Sequence, residues 1–375
     1  MHVKFKNVVI MGDLIRPWKN GDQSVSGAFR NIQWLCHLIS HAIKSTGLPV
    51  YALDWNRHAN NIEYKRFDVA SYYQKKGMEI SVNNWSALSN SNQFCPELIA
   101  ELSQHLDDSL VIGYEMSKMQ IATLDQMGLS YIDLVLHPVR FAHDILHAAR
   151  TNDPMIHEVL AKCHFDSSVI HEAAAELMAK ICRIPKTIKT PMDTAILLGQ
   201  VWTDRAVSKP EGGFYKLDDY LHEISEIVNK HSAVIYKPHP YENVSGDKSQ
   251  ICQAFKSIST TELNYYMLLC QSSVTSVYGL NSSGLYEANY FGRVAKYMIA
   301  PQYIFNDGLQ GESIELGEFI TLSEIWTRSN FWNIIIRGVD SEFIDDKNVM
   351  TKNKLRSSMN TDWGYDKIDK LVVQL

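Results

Sequence analysis

The chain has 375 residues, 45% of them hydrophobic and 21% charged, the balance of a globular protein with enough apolar material for two buried cores. The formal net charge is −6, from 36 basic and 42 acidic residues, so no basic excess exists to neutralise phosphates, which argues against nucleic acid as the main partner. Six scattered cysteines without a Cys-x-x-Cys pair point to neither a disulfide framework nor a zinc site. No apolar run is long enough to cross a bilayer, and the first six residues lack the apolar core of a signal peptide. The expected location is the cytoplasm, with peripheral attachment to the inner face of the membrane left open.

Residues 7–11 (NVVIM) read as a buried strand ended by Gly12-Asp13. After a Ser/Gly-rich loop, residues 29–45 read as a helix with Ile32, Leu35, Cys36 and Ile39 on one face. Strands are predicted over 48–53, 109–112 and 131–136, with a helix over 118–127. Residues 154–183 read as helical almost throughout, and 184–190 (IPKTIKT) break the run with proline and repeated lysine. A second alternation follows: strands over 194–201, 233–237 and 274–278, with helices over 217–230, 262–270 and 283–291. The predicted fold is α/β, with two Rossmann-like domains facing a cleft and a helical insertion near the boundary. The predicted divisions are 1–187, 188–345, and a segment over 346–375 packing back on the first domain.

Several motifs are absent. No Gly-x-Gly-x-x-Gly follows the first strand, and there is neither a Walker loop nor a Gly-x-Ser-x-Gly elbow. His143 and His147 are four apart on an expected helix, but a lone pair of this kind is more often structural than metal-binding. No Asp-x-Asp occurs, so the carboxylate pair with which many transferases hold a divalent cation is lacking. No metal or cofactor is expected.

Three clusters lie beyond the carboxyl ends of predicted strands in the second half, where ligands bind in such sheets. They are Gly199-Gln200-Val201-Trp202-Thr203-Asp204, Lys237-Pro238-His239-Pro240, and Asn281-Ser282-Ser283-Gly284-Leu285-Tyr286-Glu287-Ala288. A Ser-Ser-Gly turn opening a helix offers unpaired backbone N–H groups to an anion, and Glu287, one turn on, can accept from ribose hydroxyls. The bland reading of that turn is a plain helix cap. His239 between two prolines can donate to a phosphate, and Lys237 can pair with a phosphate or carboxylate. The Asp204 carboxylate can attack an anomeric carbon; otherwise it caps the next segment. In the first half, Glu115 follows one strand as a candidate acid/base, while His137 and Arg140 follow another as candidates for the acceptor side or a sugar carboxylate.

Taken together, Gln200 to Asp204, Lys237-x-His239-Pro240, and Ser282-Ser283 with Glu287-Ala288 resemble the retaining β-Kdo transferases of bacterial capsule and lipopolysaccharide assembly. (Kdo is 3-deoxy-D-manno-oct-2-ulosonic acid.) The agreement in order and spacing covers about 90 residues, between Gln200 and Ala288. The resemblance implies a GT-B layout, with 1–187 on the acceptor side and 188–345 binding the CMP-sugar. It implies CMP-β-Kdo as donor, an oligosaccharide or glycolipid as acceptor, and Asp204 as nucleophile in a double displacement. It also implies His239 and the Ser282-Ser283 turn as the CMP-phosphate site. Other readings of the same residues are an inverting transferase for another CMP-linked nonulosonic acid, a hydrolysing sugar-nucleotide epimerase, and a non-catalytic CMP-sugar-binding subunit.

Overall fold

Short runs of Val, Ile, Leu and Tyr, flanked by turns and amphipathic helices, form two mostly parallel sheets in the computed structural model. The structure describes residues 4–18, 26–56, 62–183, 190–201, 203–240, 250–306, 314–338 and 347–363. The first sheet starts with β1 (Asn7–Met11), helix α1 (Phe29–Lys44), β2 (Val50–Asp54) and β3 (Glu63–Arg66). Three short helices, α2 (Val69–Lys75), α3 (Val82–Ser89) and α4 (Pro96–Leu102), lead back to β4 (Ser109–Tyr114) on the other side of β1. Then come α5 (Lys118–Gln126), held by a Ser117–Gln120 capping box, β5 (Tyr131–Leu136), and β6 (His147–Thr151), which runs antiparallel to β5. The strand order therefore reverses between β1 and β4.

Helices α6 (Pro154–Lys162) and α7 (Ser167–Ile181) lead to the second sheet. Its elements are β7 (Thr194–Leu198), α8 (Leu221–Lys230), β8 (Ala233–Lys237), α9 (Ile251–Ala254), β9 (Ile258–Thr260), α10 (Tyr265–Leu269), β10 (Val274–Gly279), α11 (Ser283–Tyr290) and β11 (Val294–Tyr297). All five strands are parallel, in the order β11-β10-β7-β8-β9, so this sheet reverses between β7 and β10. The chain then returns to the first sheet with β12 (Phe305–Asn306) and β13 (Phe319–Leu322) beside β6. Helices α12 (Ser329–Arg337) and α13 (Lys354–Trp363) pack on α1.

Three sequence expectations differ from this architecture. The helical run over 154–183 is two helices, because Asp166 caps a fresh start for α7 and the intervening Phe165 N–H pairs with the Thr321 carbonyl. Residues 305–322, expected in the second half, extend the first sheet, where Ile320 and Leu322 fill its buried face. His143 and His147 share no helix: His147 opens β6 and His143 lies in the loop before it. The expected boundary at 184–190 lies outside the described residues except for Thr190.

One face of the first sheet packs Val8, Ile10 and Ile112 under α1, α12 and α13, with Trp34, Trp326 and Trp332 fully buried. The other face joins a cluster that runs from Val9 and Met11 to Leu197, Tyr278 and Leu280 of the second half. The two halves thus share apolar packing as well as polar contacts. Among the described residues no helix is long and apolar enough to cross a membrane.

Gly12, which follows β1, lets the start of α1 approach the strand end, since a Cβ there would lie 2.5 Å from the Ala28 Cβ. Both atoms belong to rigid elements, so relief requires a backbone shift. Gly12→Ala is expected to destabilise the protein by about 1–3 kcal/mol in urea unfolding, whereas Gly77→Ala, with open space around it at φ +64°, is limited to the strain of its left-handed backbone.

Candidate active site

Each strand-order reversal leaves a crevice at the carboxyl ends of its central strands, and polar loops of the two halves meet there. The loop after β7 makes the crossing. Asp204 caps the 3-10 turn Arg205–Val207, its Oδ1 accepting from the Ala206 N–H at 3.1 Å. That turn directs Arg205, only 4% exposed, into the first half, where its Nη1 donates to the Glu115 carbonyl. The Gln302 amide, oriented to satisfy both groups, accepts from Arg205 Nε at 3.2 Å and donates to the Arg205 carbonyl at 3.0 Å. The Tyr303 ring lies 5.8 Å from the guanidinium carbon.

Glu115, just past β4, has φ +53°. For a residue with a Cβ the left-handed region costs about 1–2 kcal/mol. A hydrogen bond from a charged donor, about 1.5–3 kcal/mol, is large enough to offset it. Glu115 is also tied by its N–H to the Leu134 carbonyl at 2.8 Å.

Beside it lies a set of buried and half-buried charges. Asp13 accepts from Trp85 Nε1 at 2.8 Å and from the Ile15 N–H at 3.4 Å. The Arg16 guanidinium rests 4.7 Å from the Trp85 ring centroid, and Trp85 packs on Phe214 of the second half. Asp133 takes both Nε and Nη2 of Arg150, at 3.0 and 2.9 Å, and caps the Met116 N–H. Burial raises the pKa of Asp13 and of Glu115, with Arg16 and Arg205 pulling both back down and Asp204 adding to the rise at Glu115. Glu115 and Asp204, the two expected catalytic carboxyls, are therefore within electrostatic reach of each other, one from each half. Asp13, Arg16, Arg205 and Tyr303 were not among the sequence candidates. The legible signals were Asp13 at the end of the first strand and Arg205 beside Asp204.

At the second crevice the Gln200 side chain makes a paired contact with the Asn281 backbone, accepting from its N–H at 3.1 Å and donating to its carbonyl at 3.2 Å. Asn281 Nδ2 in turn donates to the Ala206 carbonyl at 3.1 Å. Gln200 thus locks two loops together. Ser282 caps α11, Ser283 is its first residue, and Gly284 lets the helix start approach β7, since a Cβ there would lie 2.8 Å from Leu198 Cδ1. Lys237 ends β8 half-buried with no ion pair among the described residues; burial lowers its pKa, and Glu262 opposes that shift. His239 is half-buried and Pro240 exposed, while Trp202 lies outside the described residues.

Glu287, Arg140 and His137 form a different group. Glu287 is 3% exposed, and its Oε1 accepts from the Arg140 N–H at 2.7 Å and from the Tyr266 hydroxyl at 2.8 Å. Its carboxyl is committed to joining the halves rather than turned to an open ligand surface, and burial pushes its pKa up to about 7. Arg140 turns its Nη1 back on the His137 carbonyl, and Arg356 Nη2 donates to the Arg140 carbonyl at 2.7 Å. The His137 ring is fully buried, edge-on to Tyr286 and Phe305 at 5.3 and 5.0 Å. His143 pairs with Glu176 at 3.2 Å, while His147 is buried against Trp34, Tyr114 and Trp326, which pushes its pKa down to about 3. Among the described residues no three His, Cys, Asp or Glu side chains converge as metal ligands.

No protein-family model matches the chain, and no curated protein matches it. Among solved structures, a β-Kdo 2,7 transferase structure of KpsC from Thermosulfurimonas dismutans is 19% identical, covering 53% of this chain and 67% of that one, with a TM-score of 0.32. The β-Kdo 2,4 transferase structure of KpsC from the same organism gives 16%, 49%, 67% and 0.32. The H444N variant of the wall teichoic acid polymerase TagF gives 10%, 99%, 90% and 0.24. Scores of this size assign no family and no residue role.

The raised pKa of Glu287 has a signed consequence. Between its unfolded value near 4.5 and about 7, the folded chain holds the proton that the unfolded chain has released. Stability contributed by this group therefore falls as pH rises through that window, by roughly 3 kcal/mol in total. Urea midpoints at pH 5, 6, 7 and 8 are expected to show wild type losing stability relative to Glu287→Gln across the series. The neutral amide keeps the acceptor without titrating.

Proposed function

We propose that the chain is a glycosyltransferase of the GT-B type that moves an acidic ulosonic sugar, Kdo as first choice, from its CMP-linked donor to a cell-surface glycan. The observation that carries this reading is that Asp204 and Glu115, one carboxyl from each half, lie within electrostatic reach where the turn after β7 is bonded to the end of β4. Asp204 attacks the anomeric carbon, the bond to the CMP phosphate oxygen breaks, and CMP leaves with the bonding pair as an oxyanion. The acceptor hydroxyl then attacks the same carbon, Glu115 takes its proton, and Asp204 departs as carboxylate. Two inversions give net retention.

The leaving phosphate falls to His239, Lys237 and the start of α11, whose first-turn N–H groups can receive an anion. Glu262 acts on the half-buried Lys237 electrostatically without forming an ion pair with it, which suits a site that receives an anion with its ligand. Gln200 acts indirectly by holding Asn281. No metal or cofactor enters this scheme, in which donor and acceptor are the only other components.

One observation favours a second reading. Asp204 is exposed and already caps Ala206, while Glu115 is the shielded carboxyl with the raised pKa. In an inverting transferase Glu115 would deprotonate the acceptor for a single displacement, and Asp204 would only shape the loop.

Intact mass spectrometry with CMP-Kdo generated in situ separates the two. Double displacement predicts a wild-type adduct of one Kdo unit on Asp204, absent in Asp204→Asn. Turnover without an adduct, giving product of inverted configuration, would establish the second reading, and no turnover of any CMP-sugar would retire both. Glu115→Gln is expected to lower transfer by about 10²–10⁴-fold and to remove the acidic limb of the pH–rate profile. That limb should lie above the ordinary carboxyl range, because Glu115 must ionise and its pKa is raised. Lys237→Ala is expected to weaken CMP binding by about tenfold or more in calorimetry, the scale of one lost charge-assisted contact.

A further inference from the structure

Arg205 has no part in the bond-making steps, yet it ties the backbone of Glu115 to the turn that Asp204 caps. We propose that Arg205 is a positioning residue that assembles the acid/base group across the cleft: by holding the Glu115 carbonyl from the second half, it keeps Glu115 in its left-handed posture beside Asp204 only while the halves are together. The proposal rests on Glu115 being the acid/base of the transfer.

Three observations carry it. The hydrogen bond runs from a side chain of the second half to the backbone of the one residue at the end of β4 with positive φ. Separating the halves must break it, and the strained backbone then loses its compensation. Arg205 is itself fixed, by Gln302 on two sides and by the ring of Tyr303, so it presents its Nη1 at a set place. The turn that carries it is linked to the donor side, since Asp204 caps that turn and Asn281, at the mouth of α11, bonds the Ala206 carbonyl. A donor settling on α11 and Asp204 therefore bears on the turn that secures Glu115. Binding at one half can in this way complete the catalytic set of the other.

The groups facing Glu115 are Arg16 from the loop after β1, Asp133 from β5, Asp204 and Arg205 from the turn after β7, and Tyr303 from before β12. Arg205 is one of two cations that favour the ionised form. Its loss removes a backbone hold and a charge together, and these are separately readable.

The test uses full-length protein labelled with 13C-glutamate, without substrate, the Glu115 signals being assigned through Glu115→Gln. Arg205→Gln is expected to move the Glu115 Cα and carbonyl shifts out of the left-handed range and to raise its titration midpoint by about half a pH unit, threefold in proton affinity. Arg205→Lys restores the charge without the fork, so the midpoint should return towards wild type while the backbone shifts stay displaced. Wild-type backbone shifts in either folded variant overturn the proposal, and if Arg205→Gln does not fold, Arg205→Lys alone decides it on the backbone readout. A displaced Glu115 in a protein that turns over no CMP-sugar would sustain the clasp and retire the transferase reading, so the two failures are distinct.

Discussion

Arg205 carries a positive charge at 4% exposure, and a cation that deep persists only where the surroundings replace its water. Here the replacement comes from both halves of the chain. The Glu115 carbonyl, Gln302 and the nearby carboxyl of Asp13 surround the guanidinium, and Asp13 is itself held by Trp85. Removing any of these leaves a buried charge short of partners, a deficit of several kcal/mol in ordinary proteins. The position of the turn after β7 relative to β4 is therefore tightly specified. So is the approach of Asp204 to Glu115, because Asp204 precedes Arg205 in the chain and caps its turn.

A second set of contacts braces the same arrangement from the other side. Glu287, on α11, reaches the Arg140 N–H, and the Arg140 carbonyl receives Arg356 from α13. Arg356 lies at the start of that helix, whose first N–H groups are capped by the buried carboxylate of Asp144. Glu324 adds bonds to Thr351 and Lys354. The C-terminal helix thus stiffens the loop over 137–143, which in turn meets the second half through Glu287 and the His137–Tyr286 ring contact. Residues that read in sequence as ligand contacts are here the polar filling of an interface.

How much of this was legible follows from the range of each interaction. Strands at 7–11, 131–136 and 233–237 sit where their apolar runs placed them, because a buried strand is written in consecutive residues. Some helix ends shifted by a residue or two, as caps do, while the starts predicted at 217 and 262 moved to Leu221 and Tyr265. The return of β12 and β13 to the first sheet was not legible, since it depends on pairing Ile320 with Ala149 across the whole second half. The loop positions of Gln200, Glu115 and Asp204 could be read from strand ends, but their partners could not. Gln200 looked like a ligand donor, and the Asn281 backbone claims both ends of its amide. Glu287 sat one turn into a helix beside a Ser-Ser-Gly turn, a pattern that fits ribose recognition, and nothing local reveals Arg140 and Tyr266 waiting for it. Arg205 stood next to the candidate nucleophile and was passed over, because an arginine after an aspartate reads as a surface pair until burial is known.

The same buried charges bear on which substrate the cleft can receive. The chain is acidic overall, yet the donor proposed for it, with a sugar carboxylate and a phosphate, would be anionic and would have to approach the crevice without being repelled. Asp133 is matched by the bidentate Arg150, which leaves Asp13, Glu115 and Asp204 facing Arg16 and Arg205. Counted at ordinary pKa values, that remainder is negative. Burial changes the count, because Asp13 and Glu115 hold their protons to higher pH than exposed carboxyls do, and each held proton removes one negative charge. A proton held on Asp13 alone would leave Glu115 and Asp204 matched by Arg16 and Arg205. Desolvation at these two carboxyls therefore lessens the negative charge that a donor of the proposed kind would meet. The half-exposed Arg16, stacked on Trp85, is the less buried of the two guanidiniums facing these carboxyls.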